Sequence, residues 1–305
     1  MTDKPKVAIS FSGGRTSAVM TKLLVNELLI QDSHEVYIQF ANTGCEHPAT
    51  LEFVRACQEH FNWPVHWLEA KVNPEKGKGI RHTEVDYETA SREGEPFRAV
   101  VEKYGIFNRT SPACTARLKT EVFNSFLQSK GFVFGKKVDH RTAIGIRFDE
   151  AERMSSRKDE FRLWYPLIDH KITKRDVALE IKKWGFDLQI PHDAFGNCTW
   201  CWKKTLRKHL TLAQQDPSVF DFPRDMEREF GHVKGDTAAA KEGRRYWFKD
   251  YMTADQIVEL SKTKDFTPYE DDLWDHAKEV PFDADLDAGG GACDSGACDV
   301  YGELD

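Results

Sequence analysis

The chain opens on a short apolar run, Val7-Ala-Ile-Ser-Phe11, that stops at Gly13-Gly14. Apolar residues then recur at helical spacing over residues 16–30, at Val19, Met20, Leu23, Leu24 and Leu28. This pattern predicts a strand, a loop and a helix. Glu35 to Ala41 predicts a second strand, Asn42-Thr-Gly44 its turn, Pro48 to Phe61 a second helix, and Val65-His-Trp-Leu68 a third strand. A helix beginning near Cys114 and continuing from Val122 to Gly131, a strand over Arg141 to Ile146, and a capped helix from Thr173 to Gly185 follow. Strands alternating with helices imply right-handed crossovers, hence an α/β fold with a mainly parallel, doubly wound sheet.

The remainder is less regular. Residues 71–100 are polar and lack clear periodicity, which predicts a long loop or lid. Residues 190–262 read as mostly helical. The expected organisation is a nucleotide-binding α/β domain over residues 1–189, a helical region over 190–264, and an acidic, flexible tail over 265–305.

Apolar residues make up 40% of the chain, enough for a real core. No run approaches the roughly 18 apolar residues that span a bilayer, and the opening Met-Thr-Asp-Lys-Pro-Lys is not a secretory signal, so a cytoplasmic protein without a membrane partner is expected. Seven cysteines in such a chain read as thiols or metal ligands rather than a disulfide framework. The net charge of −7 is unevenly spread, because the residues from Asp265 onward carry thirteen Asp/Glu against Lys278 alone. The body therefore holds 42 Lys/Arg against 37 Asp/Glu. That balance suits a nucleotide or a nucleic-acid strand, while the tail disfavours loose polyanion binding.

Candidate chemistry begins at Ser10-Phe-Ser-Gly-Gly-Arg-Thr-Ser17. A Ser/Gly-rich turn between a strand and a helix N-terminus gathers backbone N–H groups where the helix dipole favours negative charge. Composition alone is equally compatible with an ordinary helix start. The segment matches neither G-x-x-x-x-G-K-[ST] nor G-x-G-x-x-G. It resembles instead the PP-loop of the N-type ATP pyrophosphatases, including the phosphoadenosine phosphosulfate (PAPS) reductase family, with Thr16 where that loop usually has Asp. Phe40-Ala-Asn-Thr-Gly-Cys-Glu-His-Pro-Ala-Thr50 resembles the family's second-strand motif, with Ala49 departing from it. Ala143-Ile-Gly-Ile-Arg147, Ser155-Ser-Arg157 and Trp164-Tyr-Pro-Leu-Ile168 are similar to later family segments in the same order.

The resemblance implies a Rossmann-like sheet of PP-loop type. It also implies binding of ATP or another adenine nucleotide, PAPS among them, with Mg2+. The residues it points to are Ser10, Ser12, Gly13, Gly14, Arg15, Thr16, Ser17, Asn42, Thr43 and Gly44, with Arg147 and Arg157 as anion partners from the other side. Outside that likeness either arginine would read as a solvated surface residue.

Cys198-Thr-Trp-Cys201 has the spacing that brings two thiolates to one metal centre. Cys114, in Ser111-Pro-Ala-Cys-Thr-Ala-Arg-Leu-Lys119, resembles the upstream cysteine of cluster-bearing sulfonucleotide reductases, although those have a Cys-Cys pair there. The likeness carries three ligands, Cys114, Cys198 and Cys201, for a [4Fe–4S] cluster with one open iron, as in PP-loop tRNA-thiolating enzymes. Structural zinc, completed by a histidine such as His192 or His209, is the alternative. Cys45 could be a fourth ligand, a nucleophile, or a small buried side chain; Cys57 reads as core. Lys203, Lys204, Arg207 and Lys208 could steady a cluster, meet a nucleic-acid backbone, or form a solvated helix face. Cys293 and Cys298 in the tail are candidate catalytic thiols, since PAPS reductases attack their substrate with a C-terminal cysteine, but the adjacent aspartates weaken a nucleophile.

Three functions fit. The first is ATP-dependent sulfur transfer (thiolation) with an iron–sulfur cluster, acting on a nucleic acid (tRNA or DNA) or a small substrate, with a possible sulfur-donor protein as partner. The second is sulfonucleotide reduction by a tail cysteine. The third is a non-catalytic nucleotide-binding or DNA-associated accessory role.

Overall fold

The computed structural model describes residues 4–75, 77–135, 138–233 and 245–270. Strand β1 (Lys6–Ser10) feeds helix α1 (Arg15–Lys22), which a π-helical turn prolongs over Leu23–Glu27. β2 (Glu35–Asn42), α2 (Pro48–Phe61) and β3 (Val65–Val72) follow. Then come β4 (Ile80–Val85), α3 (Glu95–Tyr104), a π-helical turn over Ala116–Thr120 running into α4 (Glu121–Ser129), and β5 (His140–Ile144). β6 (Leu163–Trp164), α5 (Pro166–Asp169), α6 (Lys174–Ile181), α7 (Leu206–Gln215), α8 (Asp221–Phe230) and α9 (Ala254–Thr263) are the remaining described strands and α-helices, with short 3-10 turns between them.

Among the described residues one six-stranded sheet forms, in the order β4-β3-β2-β1-β5-β6. β1 pairs in parallel with both β2 and β5, so successive strands run outward from β1 to one side and then return to its other side. That reversal is the switch point at which α/β sheets open a crevice beyond their carboxyl ends. The α/β class and mainly parallel sheet follow the hydrophobic pattern. Alternation along the strands divides the core: Val7, Ile9, Ile38, Phe40, Val65 and Trp67 pack against α1, α2 and α6, while Ala8, Leu68 and Ala70 face a cluster shared with α3, α4 and the C-terminal helices.

The expected loop over 71–100 is corrected. β4 pairs antiparallel with the end of β3, and α3 occupies Glu95–Tyr104. Polarity hid β4 because it is an edge strand in which only Ile80 is buried. α3 starts behind a Gly94 in the left-handed region and has a proline at its N-terminus, a start without the usual Ser/Thr/Asp signal.

Candidate functional site

The crevice is built first by the loop after β1. Gly13 has φ +79°, and a Cβ there would lie 2.8 Å from Thr50 Cγ2 and 3.0 Å from Phe40 Cε2. Only glycine satisfies both the backbone and the space. The Ser17 hydroxyl accepts from Ser12 N–H (3.1 Å) and donates to Gly14 O (3.0 Å), with Ser12 Oγ 2.9 Å away, so it ties the loop into a ring. No side chain caps α1 at Gly14, which leaves its first N–H groups for a ligand.

Ser12, Gly13, Gly14, Arg15 and Thr16 line a cleft of about 120 Å³ that Thr50, Arg147, Lys174, Asp193, Gly196 and Asn197 help to complete. Arg147 arrives from beyond β5 past Gly145, where a Cβ would come within 3.1 Å of Ser17 Cα. It is 8% exposed, and its guanidinium contacts Thr16 Oγ1 (3.3 Å), Asp149 (3.1 Å) and Glu150 (3.2 Å). Arg15 lines the cleft too, but braces it from behind, holding Asp187 at 2.6 Å and the Leu188 carbonyl at 2.6 Å.

The other anticipated nucleotide residues stand elsewhere. Ser10 is buried at the end of β1 and Ser17 is the loop's internal tie. Asn42 is fully buried, donating to Glu69 (2.6 Å) and Ser91 O (2.9 Å), while its Oδ1 accepts from Gly44 N–H (3.2 Å). Those contacts shape the turn after β2 rather than the cleft. Arg157 pairs with Glu160 at 2.7 Å and does not line the cleft.

A second pocket adjoins. Cys114, Cys198 and Cys201 line it together with Thr43, Phe97, Leu118, Lys119, Asn197, Trp200 and Trp202. Cys198 pairs across an isolated antiparallel bridge with Glu46, and Thr199 N–H donates to Cys45 O at 3.0 Å, which fastens the Cys-x-x-Cys segment to the turn after β2. Thr43 lies 3.4 Å from Cys198 Sγ and holds the Glu46 carboxylate through its N–H (3.0 Å) and hydroxyl (2.8 Å). Cys45 sits beside them; burial, with Cys198 and Glu46 adding to it, pushes its thiol well up, against a thiolate role. Cys57 is fully buried in α2, where burial likewise pushes its thiol up, as a core residue should. Cys293 and Cys298 lie outside the described residues.

Lys203, Lys204, Arg207 and Lys208 require a correction: all four are buried, so they form no solvated face and offer no surface to a nucleic-acid backbone. Lys204 Nζ donates to the carbonyls of Ala194 (2.5 Å), Thr199 (2.7 Å), Gly196 (3.0 Å) and Cys198 (3.0 Å). Arg207 donates to Thr267 O at 2.8 Å, and Lys208 lies 3.4 Å from Asp193.

In chemical kind the donor set fits a thiolate-bound cluster: three thiols around one pocket walled by aromatic residues. Among the described residues no three His, Cys, Asp or Glu side chains converge to hold a single metal ion. Of the histidines considered for zinc, His209 Nε2 meets Cys201 O (2.9 Å), while His192 Nε2 meets Gln215 (2.7 Å) and its buried Nδ1 has no hydrogen-bond partner.

Neither the apolar pattern nor the motifs mark Lys174, and they mark Asn197 only as part of a turn. Lys174 did leave a signal, a cation in the first turn of α6, where the dipole disfavours it. Asn197 left almost none, since its αL conformation (φ +56°) and its place between two pockets are tertiary facts.

Residues 6–128 match the phosphoadenosine phosphosulfate reductase domain. The chain is 32% identical over 298 residues to the uncharacterized nin region protein ORF290 of Escherichia phage lambda, spanning 96% of this chain and 94% of that protein. Among solved structures it is similar to the U34-tRNA thiolase NcsA from Methanococcus maripaludis with its [4Fe-4S] cluster, at TM-score 0.40 and 16% identity over 79% of each chain. No helix among the described residues is long and apolar enough to cross a membrane.

Proposed function

Because the chain belongs to the PAPS reductase-like family of PP-loop proteins, we propose that it binds an adenine nucleotide at the loop after β1 and carries out ATP-dependent sulfur transfer at the adjoining thiol pocket. One observation carries the reading: Asn197 borders both the loop's cleft and the pocket of Cys114, Cys198 and Cys201, so phosphate and thiol chemistry abut.

In this reading the loop N–H groups of residues 13–16 receive the phosphates, and Arg147 and Lys174 offset their charge, with Mg2+ as the expected companion. An oxygen of the acceptor attacks the α-phosphorus, pyrophosphate leaves, and the adenylated oxygen then departs with AMP when sulfur takes its place. Cys114, Cys198 and Cys201 would hold a [4Fe–4S] cluster, which supplies an open iron for the incoming sulfide. Trp200 and Trp202 exclude water from that pocket, and Lys204 fixes the loop that presents Cys198. The sulfur acceptor, nucleic acid or small molecule, and a sulfur-donor protein belong to the same proposal.

The match of residues 6–128 to the PAPS reductase domain favours a second reading, in which the cleft holds a sulfonucleotide, a tail thiolate attacks its sulfur and expels the nucleotide phosphate, and a second thiol then attacks the resulting S-sulfocysteine, forming a disulfide and releasing sulfite. In that case Cys293→Ser with Cys298→Ser abolishes sulfite release.

Anaerobic purification with an absorbance spectrum, iron and sulfide analysis and ATP titration tests the first reading, repeated on Cys198→Ala. Bound iron and sulfide that fall in the variant, with ATP binding retained, are expected. A colourless, iron-free anaerobic preparation overturns the cluster, and failure to bind ATP overturns the nucleotide assignment.

A further inference from the structure

Among the described residues Asn197 is the one that lines both pockets. Its backbone is held in the left-handed region at φ +56°, a conformation that asparagine tolerates better than most residues. The loop on either side is wrapped around the Lys204 ammonium through the carbonyls of Gly196 and Cys198 (both 3.0 Å). The amide is therefore carried on a fixed support, between Gly196 of the phosphate cleft and Cys198 of the thiol pocket.

The side chain is 9% exposed, and its Nδ2 is buried without a hydrogen-bond partner. An unmet buried donor costs on the order of 1–3 kcal/mol, so a native fold keeps few of them without a reason. Some neighbours are met, as Lys204 is by its carbonyls, Thr43 by Glu46 and Asn42 by Glu69. Thr50 Oγ1 in the cleft and Trp202 Nε1 in the thiol pocket are, like Asn197 Nδ2, buried without a hydrogen-bond partner, but Asn197 lines both pockets. The terminal torsion of asparagine is soft and roughly two-fold, so a half-turn exchanges Nδ2 with Oδ1 and turns the donor from one wall to the other.

We propose that Asn197 is a ligand-binding and specificity-determining residue, whose amide donates to an anionic oxygen at the junction, on the α-phosphoryl group of the nucleotide or on the group joined to it. This rests on the nucleotide reading above. Any group passing from the phosphates to a thiol crosses this wall, and the amide distinguishes a ligand that presents an acceptor oxygen there from one that does not. The bound oxygen also relieves the unmet donor, so the residue contributes more to the complex than to the free protein.

The test titrates the full chain and its Asn197→Gly and Asn197→Asp variants with adenosine, AMP, adenosine 5′-phosphosulfate and ATP, beside thermal unfolding without ligand. Glycine keeps the backbone conformation, and Asp keeps the shape while presenting a carboxylate to the anion. Anionic nucleotides should bind Asn197→Gly about tenfold more weakly or worse, as expected for a lost hydrogen bond to a charged group, and Asn197→Asp more weakly still. Adenosine binding should hold in both variants, and the ligand-free Tm should hold in Asn197→Gly, since Asn197→Asp buries a carboxylate. A loss already present with AMP assigns the oxygen to the α-phosphoryl group; a loss confined to ATP and the phosphosulfate assigns it to the group beyond. Equal affinities in wild type and both variants overturn the inference, as does an equal loss for adenosine, which would mark a structural role. Wild type that binds none of the four overturns the nucleotide reading itself, and this inference with it.

Discussion

Arg147 Nη1 donates to the Thr16 hydroxyl at 3.3 Å, joining the end of β5 to the loop that precedes α1. Thr16 occupies the position where the PP-loop usually carries an acid. A neutral hydroxyl there leaves the loop's side of Arg147 uncharged, while Asp149 and Glu150 hold the guanidinium from behind. The pair thus places a guanidinium, held by two carboxylates, beside a neutral hydroxyl at the cleft.

Thr16→Asp should weaken metal-free ATP binding by about tenfold, since a carboxylate in reach of Arg147 competes with phosphate for the same charge-assisted contacts. Mg2+ should restore much of the loss, because the new carboxylate offers a hard oxygen ligand. Calorimetric titrations in EDTA and in Mg2+ separate the two effects. Wild-type affinity in EDTA would exclude the Arg147–Thr16 pair from the anion site.

Gly13→Ala should cost on the order of 1–3 kcal/mol through the left-handed backbone alone. The added methyl would also meet Thr50 Cγ2 at 2.8 Å. Thr50 lies in α2, so the loop and not the helix is expected to move, disturbing the N–H groups beside Ser12. Chemical denaturation reads the stability loss, and ATP titration under native conditions reads the expected fall in affinity of about tenfold or more.

Periodicity revealed the strands that surround the cleft. Both bounds of α2, Pro48 and Phe61, are visible in sequence because a proline and a change of pattern mark them. The Thr173 start of α6 was equally legible, and the structure has a reciprocal capping box with Asp176 there. β4 was not, because one buried residue in an edge strand sets no period. The run Lys203 to Lys208 was legible as a cluster of charge but not as an interior one. What turns it inward is a set of backbone carbonyls, which carry no signature in side-chain sequence. Likewise the order of motifs drew Cys114 toward Cys198 and Cys201, while the wall that Asn197 forms between the pockets depends on tertiary placement.

Lys204→Met tests the buried cation. Removing the ammonium leaves the carbonyls of Ala194, Gly196, Cys198 and Thr199 short of a donor in a buried loop. A destabilisation of about 3 kcal/mol or more is expected, typical of breaking a buried charged network. Lys204→Arg should not restore it, because a planar fork cannot match a compact ammonium among carbonyls on several sides. Urea denaturation gives the energies. A loss below about 1 kcal/mol would mean that the loop has other support.

Glu180 links α6 to α1 through Lys22 at 2.6 Å, and also meets Lys183 at 2.8 Å and Trp184 at 3.1 Å. Burial alone would push its carboxyl up. The hydrogen bonds from Lys183, Lys22 and Trp184 overcome that and hold it at about 2, below its ordinary 4.5. A carboxyl depressed on folding takes up protons more readily in the unfolded chain. Its contribution is therefore complete above about pH 4.5 and is lost as pH falls from there toward 2. Glu180→Gln should lower stability by about 1 kcal/mol at pH 7, where Lys22 and Lys183 lose the charge of Glu180 and Lys22 keeps only Glu27. The gap between wild type and variant should then narrow on acidification below pH 4.5, because protonation makes wild type resemble the amide. Urea unfolding of both proteins at a series of pH values measures it. A gap that stays constant from pH 7 to pH 3 would show that the contacts of Glu180 stabilise by packing alone.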